Sequence, residues 1–201
     1  VYPPVSAKPG AGGAGGAGEA GGAGGAGAVR GEYLLHLGRL VPYKRVDLAI
    51  AAAERLGVRL IVAGDGPDRP RLERLAGPQT TFVGEVSEEE AGRLLSGCAA
   101  FVFCAEEDFG IAPLEANAHG APVVGLARGG LLETMVPGQT AELFQQPTVD
   151  ELSAAIERAL VRHWPEATLR ANAARFSPQR FRAAFLDSVT SALPAPLVER
   201  R

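Results

Sequence analysis

Glu107-Asp108-Phe109-Gly110-Ile111-Ala112-Pro113-Leu114-Glu115 is the stretch that decides the reading of this chain. An apolar run, Ala99 to Cys104, precedes it, and another, Pro122 to Leu126, follows. Between them Ala112 to His119 is Ala-rich and reads as a helix that stops at Gly120, a residue suited to a helix end. A carboxylate at a loop end, then exposed backbone amides, then a second carboxylate on a helix form a site able to hold a polyhydroxylated, anionic ligand. Carboxylates accept hydrogen bonds from hydroxyls, and the amides of a helix N-terminus face negative charge.

The same alternation of apolar runs and helical patterns extends to both sides. Tyr33 to Gly38, Val58 to Ala63, Thr80 to Gly84 and Ala141 to Phe144 read as further strands. Lys44 to Leu56 reads as a helix ended by Gly57, Pro70 to Ala76 as a short one, and Gly129 to Met135 as the start of another. Ser87 and Glu90 form a Ser-x-x-Glu capping box. After Asp150 the pattern is helical to about Leu193, with breaks at Pro165 and Pro178. Strands that are near-continuous apolar runs, separated by helices, predict a parallel sheet covered on both faces. The expected fold class is therefore α/β, a Rossmann-like doubly wound parallel sheet with a helical C-terminal tail. Ligands of such sheets sit at the carboxyl ends of the strands, and the candidate site residues are expected there.

Composition narrows the function classes. The chain has 201 residues, 46% of them hydrophobic, enough for one sizeable core. With 20 basic and 23 acidic residues the net charge is -3, so no global field favours nucleic acid and any anion site must be local. Cys98 and Cys104 make neither a disulfide framework nor a zinc spacing, which fits a reducing cytosol. No run approaches the roughly 20 apolar residues of a membrane span. Residues 1–28 contain a Gly/Ala repeat from Gly10 to Gly27 with too little side chain to bury, and they read as a flexible linker. Proline is absent inside the repeat, which excludes collagen. Residues 29–201 form the domain, with the helical tail from about 150.

Several constellations carry chemistry. Gly38-Arg39-Leu40-Val41-Pro42-Tyr43-Lys44 follows the first strand, and Arg39 and Lys44 flank a predicted helix start. Amides fixed at a helix start and two mobile cations make a clamp for a pyrophosphate; the plainer alternative is two solvated surface charges. Glu107 and Glu115 could be a general acid/base pair of glycosidase type, which requires both carboxyls to face one scissile bond, or they could be ordinary surface acids. Gly64-Asp65-Gly66-Pro67 fails as a dinucleotide fingerprint, because it lacks the third glycine and follows the second strand, and it fits a tight turn. His36, inside a strand, reads as a hydrogen-bonded core imidazole, and His119 as a partly cationic group at a helix C-terminus. The three histidines share no ligand spacing, so no metal site is inferred. Cys104 reads as a buried thiol with no partnered base, not as a nucleophile.

Glu107 to Glu115, with Phe109-Gly110 inside and Glu115-Ala116-x-Ala118-x-Gly120-x-Pro122-Val123-Val124 trailing, resembles the donor-binding segment of GT-B glycosyltransferases of the family 4 type. Gly38-Arg39-x4-Lys44 resembles the diphosphate loop of the same family. Gly64-x-Gly66-Pro67 and Gly129-Gly130 resemble two more of its segments. The likeness runs from about Val29 to Phe144. It implies the C-terminal, donor-binding half of a GT-B fold. It implies that Gly38, Arg39 and Lys44 hold the donor diphosphate and that Gly64 and Gly66 belong to the donor site, although a tight turn is the plainer job of that pair. Backbone groups at Val83 would hold the base, although core packing is an equal reading of that side chain. Glu107 would contact sugar hydroxyls, Glu115 the ribose, and the amides of Phe109, Gly110 and Ile111 the sugar and phosphate. Glu107, Arg39 and Lys44 would be the catalytic groups.

By the same resemblance the chain is a retaining hexosyltransferase that needs no cofactor and no metal at the donor site. Its partners would be a nucleotide sugar, GDP-mannose favoured and a UDP-sugar the alternative, and a glycan or lipid-linked acceptor. The resemblance leads us to expect that an N-terminal GT-B domain is missing, that the chain alone transfers little, and that the location is cytoplasmic, peripheral at the inner membrane face through the missing domain. The competing function is a non-catalytic nucleotide-sugar-binding or interaction module left by truncation. A sugar-nucleotide epimerase would share the fold but not the paired motifs.

Overall fold

Strand β1 (Tyr33–Leu37) is a run of apolar residues around His36, and its centre is fully buried because side chains on both of its faces meet covering helices. The computed structural model describes residues 31–192; the Gly/Ala-rich linker expected at residues 1–28 lies outside the described residues. After β1 come α1 (Val46–Leu56), β2 (Arg59–Ala63), α2 (Arg69–Leu75), β3 (Thr80–Gly84), α3 (Glu88–Gly97) and β4 (Ala100–Phe103). Then follow α4 (Ile111–Ala118), β5 (Val123–Leu126), the single turn α5 (Leu131–Thr134) and β6 (Ala141–Phe144). The tail is α6 (Val149–Val161), α7 (Glu166–Ala174) and α8 (Pro178–Ala192).

The six strands form one parallel sheet in the order β3-β2-β1-β4-β5-β6. Alternate residues of each strand feed opposite faces. Leu34, Val62, Val102 and Val124 pack with Ile50 of α1 and Leu152 and Ile156 of α6. Leu35, Ile61, Phe101 and Val123 pack with Leu95 of α3, Leu114 of α4 and Leu131. Each such side chain contributes about 1.5–3 kcal/mol on leaving water. A chain that winds out from β1 to β3, then returns across to β4 and winds the other way, leaves a crevice between β1 and β4 where the connections diverge. The predicted α/β doubly wound architecture is the one observed.

Four expectations need correction. The first helix does not begin at Lys44: Pro42–Lys44 is a 3-10 turn, and α1 starts at Val46. Arg45 between them has φ 50 and ψ 41, a left-handed conformation that interrupts the helical path. β3 is not a fully buried strand. It lies at the sheet edge, its burial alternates, and Val83 is 41% exposed, so its side chain is not core. Not every candidate site residue follows a strand, since Val83 lies within β3 and Glu115 within α4. The partly cationic role expected of His119, the α4 C-cap, is opposed by burial and then by the nearby Arg170, which push its pKa down.

Candidate donor site at the topological switch

The loops that follow β1, β2 and β3 are laced together by backbone hydrogen bonds. Gly38 N–H donates to Ala63 O (3.0 Å), Leu40 N–H to Asp65 O (2.9 Å), and Gly64 N–H to Gly84 O (2.6 Å). Gly64 and Gly66 make this possible. A Cβ on Gly64 would lie 2.0 Å from Gly38 O, and one on Gly66 would lie 2.2 Å from Leu40 O. The tight-turn role expected of Gly64-Asp65-Gly66 is thus a close approach of two loops. Between the loops opens a cleft of about 680 Å³ lined by Leu37, Gly38, Arg39, Gly64, Asp65, Gly66, Glu85 and Val86. It sits at the carboxyl edge of the sheet, where main-chain amides and short loops replace bulky side chains.

On the other side of the switch, the loop after β4 carries Glu107. Its Oε1 is buried and lies 2.6 Å from Lys44 Nζ, an ion pair whose side chains are only 23% and 16% exposed. Lys44 therefore reaches from the β1 loop across to the β4 loop. Its ammonium stands 3.7 Å from where a Cβ of Gly38 would be, an ordinary contact distance, and it is the φ of 152 that favours glycine there. The 3-10 turn and the left-handed Arg45 aim Lys44 this way, and Arg45 is held in turn by Asp47, with Nε 3.2 Å from Oδ1. The Glu107 loop is backed by Gly129 and Gly130: Gly130 N–H donates to Glu107 O at 2.7 Å, and a Cβ on Gly129 would meet that oxygen at 2.3 Å.

Gly110 begins α4 with φ 79, which glycine adopts readily. No side chain caps this helix, so the amides of Ile111 and Ala112 in its first turn point to where a helix start favours an anion. The Phe109 ring itself turns away into the tail, edge-on to Phe176 with centroids 5.6 Å apart. Ile111 is 47% exposed. Glu115 is half-buried on α4. Its pKa is raised, first by burial and then by Glu88 at the start of α3, so it is a carboxyl held against its own desolvation.

The structure thus brings Gly38, Arg39, Gly64 and Gly66 into one cleft and joins Lys44 to Glu107 beside it. It leaves Val83 on the outer edge, with Phe109, Gly110, Ile111 and Glu115 on the β4–α4 side outside the cleft lining. Leu37, Glu85 and Val86 line the cleft without having been singled out from sequence. The available signal was position, because Glu85 directly follows β3 and ligands gather at strand ends. His36, 2% exposed, bonds through Nδ1 to Val102 O at 3.4 Å, and burial lowers its pKa to about 4. Burial raises the Cys104 thiol to about 12, which leaves it protonated and inert. Among the described residues, no group of three or more His, Cys, Asp or Glu is placed to hold a metal ion, and no helix is long and apolar enough to cross a membrane.

A doubly wound sheet with a glycine-lined cleft at the carboxyl ends of β1, β2 and β3, and an uncapped helix start after β4, defines a Rossmann-like ligand-binding half. Residues 28–176 match the family model described as glycosyl transferases group 1, and the chain belongs to that family. The chain is 38% identical over 154 residues to a glycogen synthase of Mycobacterium tuberculosis, covering 71% of this chain and 37% of that protein. It is 43% identical over 99 residues to the GDP-mannose-dependent alpha-(1-6)-phosphatidylinositol dimannoside mannosyltransferase of the same species, covering 45% and 26%. The structure of HepE from Anabaena, in complex with UDP and glucose, superposes with a TM-score of 0.69 at 23% identity, covering 81% of this chain and 49% of that one. The chain spans less than half the length of each of these three proteins.

Proposed function

We propose that this domain binds the nucleotide-sugar donor of a retaining hexosyl transfer, with GDP-mannose as the favoured donor. The observation that carries the reading is the Lys44–Glu107 pair at 2.6 Å, which joins the Gly-Arg-x4-Lys loop to the Glu-x7-Glu segment across the switch point. A cation and a carboxylate held side by side suit a ligand that is anionic at one end and hydroxyl-rich at the other. The diphosphate would lie over Gly38 and the start of α4, taking charge-assisted hydrogen bonds from Arg39 and Lys44. The sugar would present hydroxyls to Glu107, and the ribose would reach Glu115.

In the reaction, the bond from sugar C1 to the diphosphate oxygen breaks and the diphosphate leaves with the electron pair. The acceptor hydroxyl oxygen bonds to C1, and its proton passes to the departing diphosphate oxygen. Arg39 and Lys44 stabilise the charge that grows on the departing diphosphate, a contribution larger in the transition state than before it. The acceptor, a glycan or a lipid-linked sugar, belongs to the proposal as well. Relatives described as a GDP-mannose-dependent mannosyltransferase and as a glycogen synthase support a hexose donor, and the first of them favours mannose.

The test is calorimetric titration of the 201-residue chain with GDP, UDP and ADP and then with their sugar conjugates. The expected result is binding of one diphosphate, weakened at least ten-fold in an Arg39→Ala/Lys44→Ala double variant. A folded chain that binds none of them, or a double variant that binds as well as the parent, would overturn the reading.

A further inference from the structure

Glu85, the first residue after β3, lines the cleft together with Arg39, which follows β1. In the sheet order β3-β2-β1, the ends of β3 and β1 are two strand spacings apart, about 10 Å. Arg39 and Lys44, at the β1 end, face the diphosphate in the reading above, on which this inference rests. A nucleotide laid from there across the Gly64-Asp65-Gly66 loop reaches Glu85 with its base, because Arg39, Gly64, Gly66 and Glu85 line one cleft.

The cleft holds two carboxylates, and only one is available to a ligand. Asp65 accepts from Gly66 N–H at 2.6 Å and from Arg69 Nη1 at 2.9 Å, and these bonds lower its pKa. Arg69 is itself matched by Asp65 and by Glu73, with Nε 2.7 Å from Oε1, so it is not drawn to Glu85. Val86, half-buried beside Glu85, offers an apolar surface to a ring.

We infer that Glu85 reads the base of the donor and selects guanine. The Watson–Crick edge of guanine presents two adjacent donors, N1–H and the N2 amino group, spaced to meet the two oxygens of one carboxylate. Uracil presents a single N3–H between two carbonyl oxygens, which a carboxylate repels. Adenine presents one amino group beside an acceptor nitrogen. A carboxylate in this place therefore favours guanine by the pairing it makes and disfavours uracil by the oxygens it would face.

Titrations of GDP, inosine diphosphate (which lacks the N2 amino group) and UDP into the parent chain and into Glu85→Ala and Glu85→Gln variants test this. Glu85 is exposed, so both variants should keep the melting temperature of the parent. The expected result is a loss of about ten-fold or more in GDP affinity, the scale of a charge-assisted pair, with UDP affinity unchanged or higher. In the parent GDP should bind several-fold more tightly than inosine diphosphate, and Glu85→Ala should erase that difference. Equal losses for GDP and UDP, or no loss for either, would overturn the role of Glu85 while leaving the donor site standing. Failure of the parent to bind any diphosphate would overturn the donor site and this inference together.

Discussion

Lys44 Nζ and Glu107 Oε1 lie 2.6 Å apart, although 62 residues of chain separate Gly38-Arg39-x4-Lys44 from the end of the β4 loop. The pair spans the switch point of the sheet, so a bound diphosphate would compete with Glu107 for the lysine. Lys44→Ala is expected to weaken binding of the preferred nucleoside diphosphate by about 10- to 100-fold, the worth of one or two charge-assisted hydrogen bonds. Glu107→Gln should act differently. It frees the lysine, leaving diphosphate affinity equal or higher, and removes a sugar contact, lowering affinity for the sugar conjugate. Titrating both ligands into both variants checks this, and equal effects of Glu107→Gln on diphosphate and conjugate would contradict it.

Gly64 has φ 125, and a Cβ there would stand 2.0 Å from Gly38 O. Gly64→Ala should therefore destabilise the domain by about 2–4 kcal/mol through strain and overlap. Because the loops after β1 and β2 share the hydrogen bonds that shape the cleft, nucleotide affinity should fall with it. Urea unfolding and a titration on the same sample measure the two effects; an unchanged urea midpoint would refute the close approach.

His36 gives the domain a pH dependence of known sign. Its folded pKa is about 4, below the roughly 6.5 of an unfolded histidine, because burial opposes the charged ring. Between these values the unfolded chain takes up a proton that the folded one refuses. Stability from this group is full above about pH 6.5, falls as pH drops toward 4, and is level below that. The loss amounts to roughly 3 kcal/mol. Urea midpoints across this range should decline less steeply for His36→Leu than for the parent, after allowance for a constant offset. Parallel profiles would show that His36 does not carry the effect.

Asn172 on α7 ties the tail to the site-bearing helix. Its Nδ2 donates to Asn117 Oδ1 and to Thr134 O, both at 2.9 Å, while Arg175 Nη1 donates to its Oδ1 at 2.9 Å. Asn117 in turn donates to Ala121 O at 3.0 Å, at the start of the segment leading into β5. Asn172→Ala strands buried acceptors and should cost about 2 kcal/mol. Hydrogen exchange should show α7 opening first, with α4 less protected. Loss of protection confined to α8 would point to a different role.

The strands and helices were legible because each carries its own pattern. Ala141 to Phe144 and Thr80 to Gly84 are apolar or β-branched runs between turn residues, and both were bounded correctly. The Ser87 cap, whose Oγ accepts from Glu90 N–H, is a contact within one turn and was likewise visible. The start of α1 was not. Nothing about an arginine announces a left-handed φ, and Arg45 adopts it where the 3-10 turn meets the helix and Asp47 holds its guanidinium.

Local chemistry, then, determined by itself the α/β class and the two motifs that a nucleotide-sugar reading needs, since hydrophobic period, glycine placement and residue type are properties of short segments. Strand order was decided only by the tertiary structure, and with it that β1 and β4 are neighbours and that Lys44 meets Glu107. The same holds for Val83 facing out at an edge while Glu85 lines the cleft. These depend on which strands pair and which loops converge. Such choices are settled by the burial of both sheet faces at once, a sum over the whole core that no single segment contains.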